Sequence, residues 1–148
     1  MAGNIITGYN REKEVNEAIR AGRRALDSLN GAENYLKSAR GWGVMDLLGG
    51  NFITGMFKHS RISSARNELE MARSDLRIFQ QELTDIRDMP ELSVNIGEFL
   101  TFADFFFDGF IADVMVQAKI NNALNKVREA RRRTEGILSD LEAARIKR

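Results

Sequence analysis

The sequence predicts an all-α protein, an elongated antiparallel bundle of three long helices with an internal repeat and short apolar segments capping its ends. Three observations predict it. The 148 residues contain a single proline and are rich in Ala, Leu, Glu and Arg, a composition that favours helices over a sandwich or barrel. Apolar and small residues recur in a four-three alternation along three separate stretches, the signature of helices that bury one seam. Finally, residues 46–83 and 104–141 superpose without a gap at a shift of 58, pairing Asp46 with Asp104, Phe52 with Phe110, Ala72 with Ala130, Arg73 with Arg131 and Leu83 with Leu141.

The first helix is expected over 11–39. Asn10 suits its N-cap, and Glu12 and Glu14 in the first turn match the positive end of the helix dipole. Val15, Gly22, Leu29 and Leu36 repeat every seven residues, with Ala18, Ala25, Ala32 and Ala39 in the other seam position. Interaxial distance follows side-chain size, so this row of small residues lets a partner helix approach closely. Gly41 to Asn51 (GWGVMDLLGGN) has four glycines for a reversal, while Trp42, Val44, Met45, Leu47 and Leu48 make it apolar enough to plug one end of a bundle.

A second helix follows from about Phe52 to Asp88, with the seam Ile62, Ala65, Leu69, Ala72, Leu76, Phe79, Leu83, Ile86. Pro90 disfavours helical geometry at Met89 and ends it. Asn95 and Glu98 have capping-box spacing, which predicts a helical piece from Ile96 that carries the phenylalanine segment to the other end of the bundle. The third long helix has the seam Ile120, Ala123, Val127, Ala130, Thr134, Ile137, Leu141, Ala144. Its weak points are Thr134 and the off-seam Gly136. One domain over 1–148 is the expected organisation, with dimerisation a natural way to thicken an alanine-rich core.

Net charge is +1, so no overall field favours nucleic acid. The distribution is uneven: six acids and no Lys or Arg lie between Asp88 and Ala118, then nine bases against four acids from Lys119 to Arg148. The chain has no cysteine, which excludes disulfides and thiolate chemistry and fits a cytoplasmic protein. MAGNIITGYN lacks the features of a signal peptide. The window Phe99 to Val116 contains Asp104, Asp108 and Asp113, each costing about 2.5 to 3.5 kcal/mol at a membrane centre, so no span is expected there.

Residue patterns that would carry catalysis are missing. His59 is the only histidine, which rules out a triad or a multi-histidine metal site within one chain, and a polar surface role suits it. GWGVMDLLGG lacks the Gly-Lys-Ser/Thr of a phosphate loop. Arg131, Arg132 and Arg133 are consecutive and therefore spread around a helix, and with Glu129 and Glu135 nearby they read as a solvated face with intrahelical ion pairs. Glu98, Asp104, Asp108 and Asp113 form the only carboxylate group near large apolar residues, and capping or solvation explains them without an ion. No cofactor is expected.

The stretch GWGVMDLLGGNFITGMFKHSRI, residues 41–62, resembles a segment of uncharacterised bacterial helical-bundle proteins, in which a Gly-Trp-Gly, an Asp-Leu-Leu-Gly-Gly type turn and a Lys-His-Ser precede a heptad helix. The resemblance implies a helical bundle and no particular activity.

The resulting expectation is a non-enzymatic helical module that self-associates or docks a protein partner through its apolar ends. Trp42, Phe105, Phe106 and Phe107 are the candidate contact residues, since one helix face cannot bury three consecutive phenylalanines. Two alternatives stand beside it. One is peripheral membrane association through the aromatic end, disfavoured because the acids there are repelled by anionic lipid. The other is divalent-metal binding by the 98–113 acids.

Overall fold

The computed structural model describes residues 10–41, 55–86, 89–106 and 120–147. Among them are four α-helices and no strand: α1 (Arg11–Gly41), α2 (Gly55–Thr84), α3 (Ser93–Phe105) and α4 (Ile120–Lys147), with a 3₁₀ turn (Pro90–Leu92) leading into α3.

Helix α1 starts where its cap requires. The Asn10 side-chain oxygen accepts from Lys13 N–H at 3.1 Å, and Glu14 N–H closes the first turn on Asn10 O at 2.9 Å. Its seam is buried throughout from Val15 to Leu36, and Ile19 widens the stripe. The seams of α2 from Leu69 to Leu83 and of α4 from Ala123 to Ala144 are buried in the same way. Each pair of positions related by the shift of 58 that falls in these ranges faces the interior: Leu69 and Val127, Ala72 and Ala130, Leu76 and Thr134, Phe79 and Ile137, Leu83 and Leu141. A fully buried Leu or Phe contributes about 1.5 to 3 kcal/mol of transfer free energy, so these seams hold the fold together.

The polar pairs between helices give the chain directions. Going up α1, Asn16 meets Arg145, Arg23 meets Glu142, and Glu33 meets Arg131 and Arg128, so numbers fall along α4. Likewise Glu17 lies by Glu82 and Ser28 donates to Asp75 of α2. At Gly22 three helices meet closely. A Cβ there would lie 2.7 Å from Leu138 Cδ2 of α4 and 2.9 Å from the Phe79 ring of α2. The seam position that holds Val, Leu or Leu at its other repeats has no room for a methyl here.

Two boundaries differ from the sequence expectation. Helix α2 ends at Thr84, before Asp88, because its last turn tightens: Asp85 N–H and Ile86 N–H bond three residues back to Glu82 O and Leu83 O. Helix α3 begins at Ser93, before Ile96. Pro90 opens the 3₁₀ turn, Leu92 N–H bonds Met89 O, and the Ser93 hydroxyl donates to Pro90 O at 3.0 Å, so the turn runs directly into the helix. Asn95 therefore caps nothing, and its amide donates to Asp140 of α4 at 3.2 Å.

The phenylalanine segment also lies elsewhere than expected. It runs alongside α2 and α4: Asn95 meets Asp140, Arg133 sits over Phe102 and Lys126 over Phe105, while Phe99 packs on Phe79 of α2. Phe99 and Phe102 thus pack side-on against the long helices.

Candidate functional site

Helix α3 has the residues to bury more than one face. Seven of the thirteen residues in SVNIGEFLTFADF are apolar, and only Glu98 and Asp104 are charged. Helical periodicity puts Phe99, Phe102 and Phe106 on the inner side. Phe99 meets Phe79 edge-on at 5.4 Å and 61°, and Phe102 joins Phe99 and Phe106 at 6.4 and 6.1 Å. Arg133 of α4 stacks over Phe102 at 4.8 Å and pairs with Glu129, closing this side.

The opposite side of α3 has no such cover. Val94 is 69% exposed and Phe105 is 59% exposed, with Gly97 and Thr101 between them on the same stripe. Thr101 spends its hydroxyl on Gly97 O at 3.1 Å, so no side-chain donor on this stripe demands water. Lys126 of α4 reaches the Phe105 ring at 5.5 Å without covering it. Next to the stripe, Leu83, Ile86, Met89, Ile96 and Leu100 line an open groove of about 370 Å³ where α2 hands over to α3. Stripe and groove adjoin at Gly97 and form one apolar surface with an exposed phenylalanine on it.

The candidate contact residues separate here. Phe105 projects outward, as three consecutive phenylalanines require, whereas Phe106 is 1% exposed and packs on Phe102. Phe106 thus belongs to the chain's own core, and an Asp in its place would test folding instead of contact. Trp42 and Phe107 lie outside the described residues, as do Asp46, Asp108, Asp113 and the glycine-rich 42–51 segment. His59 falls on α2, with its side chain outside the described set.

The 98–113 acids are not brought together as far as they are described. Asp104 accepts from Gln80 at 2.8 Å, and Glu98 lines a separate recess with Asn95, Arg133 and Asp140. The acids that do converge are Glu14, Glu17 and Glu82, whose oxygens lie within 4.8 Å of one another between the start of α1 and the end of α2. Burial, with the charges of Glu17, Asp85 and Glu14, raises the Glu82 pKa, and its Oε1 is buried without a hydrogen-bond donor.

A second electrostatic feature escaped the sequence reading. Glu33 of α1 accepts from Arg128 Nε at 2.9 Å and Arg131 Nε at 2.8 Å, a clamp between α1 and α4. Burial alone would raise the Glu33 pKa, but the hydrogen bonds and charges of the two arginines outweigh it and hold the carboxyl below its usual value. Arg131 and Arg133 also make the expected intrahelical pairs with Glu135 and Glu129. The overlooked signal was heptad position: Glu33 follows Ala32 at the edge of the seam, where long charged side chains reach the neighbouring helix.

No described helix is long and apolar enough to cross a membrane. The chain matches no family model, no curated protein and no solved structure.

Proposed function

We propose that the protein is a non-enzymatic helical interaction module: a three-helix antiparallel bundle built on an internal repeat, with α3 laid against it as a docking surface. The single observation that carries this reading is a helix with apolar residues on both sides, Phe99 and Phe106 buried and Val94 and Phe105 exposed. A helix of that kind on the outside of a fold is suited to being covered on both faces. The opposite directions of the helix pairs, and the common burial of positions 58 apart, support the bundle and the repeat. The likeness of residues 41–62 to bacterial helical-bundle proteins fits the same reading and adds no activity to it.

The test is the double variant Val94→Asp/Phe105→Asp. Both residues are exposed, so helicity by circular dichroism stays at the wild-type level while assembly state or partner binding is lost. If the variant keeps both helicity and every association of the wild type, α3 is no docking surface and the reading fails.

A further inference from the structure

We infer that the occupant of the α3 surface is a second copy of this chain, docked about a two-fold axis with the two α3 helices antiparallel. The inference rests on the docking role proposed above and names the partner. It comes from the order of residues along the stripe. Val94, Gly97, Thr101 and Phe105 run from medium to small to small to large. An antiparallel copy centred between Gly97 and Thr101 sets Phe105 of the partner subunit beside Val94, while the small residues meet near the axis and let the helices approach. An added Cβ at Gly97 meets nothing within 4 Å in one chain, so that space is free for the other copy.

Charge supports the same register. Of the described acids on this stretch, Glu98 lies beside Arg133 of α4 and Asp104 accepts from Gln80, which leaves Glu91 as the acid that a partner's cation would meet. Glu91 is exposed one turn before Val94, and Lys126 stands over Phe105 at the other end of the stripe. The two-fold that joins Val94 to Phe105 of the partner subunit also carries Glu91 towards Lys126 of the partner subunit, twice per dimer. A parallel pairing would set Glu91 against its own copy. One 13-residue helix facing its copy makes a small contact, so a dissociation constant of about micromolar order is expected.

The test uses the full chain, sedimentation velocity from about 1 to 100 μM, and charge reversal. Glu91→Lys and Lys126→Glu each weaken the dimer about tenfold or more, since each change acts at two symmetric places. Combined, they restore it, which a merely structural effect of either residue would not do. The chain has no cysteine, so Thr101→Cys gives a clean second readout: it cross-links to a disulfide dimer under mild oxidation, and Met71→Cys, at an exposed position of α2 outside the stripe, does not. Weakening by both single changes, with rescue in the combination and cross-linking at 101, supports the inference. A wild type that stays monomeric to 100 μM overturns it. So does a dimer that cross-links at 71 and not at 101, or one that ignores both charge changes. The docking reading outlives these results unless Val94→Asp/Phe105→Asp also leaves every association intact, so the two failures are distinguishable.

Discussion

Two glycines inside helices should respond to alanine in opposite directions. At Gly136 on α4 the residue is exposed and an added methyl meets nothing within 4 Å. Gly136→Ala therefore gains the intrinsic helix preference, about 0.8 to 1 kcal/mol. Gly22→Ala gains the same preference and loses more. Its Cβ would stand 2.7 Å from Leu138 Cδ2 and 2.9 Å from Phe79 Cε1 and Cζ, whereas carbon pairs prefer about 3.5 to 4.0 Å. The end of Leu138 can turn aside. Phe79 has less freedom, because its ring is fully buried and held edge-on by Phe99 at 5.4 Å.

Overpacking of that kind costs about 1 to 3 kcal/mol, which leaves Gly22→Ala destabilising by about 1 kcal/mol after the helix gain. Thermal unfolding followed by circular dichroism should then place Gly136→Ala roughly 3 °C above the wild type and Gly22→Ala roughly 3 °C below it. Adding Phe79→Leu makes room, so the Gly22→Ala/Phe79→Leu double variant should lose at least about 0.5 kcal/mol less than the two single losses combined. A Gly22→Ala protein as stable as Gly136→Ala would refute the close three-helix meeting at this position.

Further predictions concern buried polar groups. Thr134 is fully buried with its hydroxyl unpaired, so Thr134→Val keeps the shape, removes the orphaned group and should stabilise by about 1 kcal/mol in urea titration; a loss would mean the hydroxyl has a partner. Glu82 has a raised pKa when folded, so its contribution is best below the unfolded carboxyl value and is lost as pH rises through the folded one. Glu82→Gln should accordingly raise the melting temperature at pH 7 and have less effect at pH 4; an unchanged melting temperature at pH 7 contradicts the crowding of Glu14, Glu17 and Glu82. Glu33 has the opposite sign: its lowered pKa gives stability that is present above the unfolded carboxyl value and disappears as pH falls. Glu33→Gln should destabilise at pH 7 by about 1 to 3 kcal/mol, because Arg128 and Arg131 lose a charged acceptor, and should lose its effect in acid.

Much of the fold was legible because burial follows the heptad. Each seam residue from Val15 to Leu36, Leu69 to Leu83 and Ala123 to Ala144 is buried, and Asn10 caps as its type suggests. What periodicity does not encode is where a short helix lies. Phe99, Phe102 and Phe106 have the spacing of a packed face, yet sequence alone does not say whether that face closes an end or lies along Phe79 and Arg133. The start of α3 was misplaced for a related reason: Asn95 and Glu98 have capping-box spacing, but Pro90 and Ser93 nucleate the turn earlier and tertiary contact claims Asn95 for Asp140. At the candidate site, the argument that one of three consecutive phenylalanines must face outward is met by Phe105. It could not choose Phe105 over Phe106, since that choice depends on the phase of a helix whose first residue was three positions off. Charge pairing across helices was the least legible part: Glu33 gives no sign in sequence of which arginines it meets until α1 and α4 are aligned.

Native mass spectrometry of the purified full chain at about 50 μM tests the contact account most directly, because it weighs the assembly together with anything bound. The account predicts a species of two chains whose mass is that of bare polypeptide. A monomer carrying a stoichiometric ion or small molecule would contradict it.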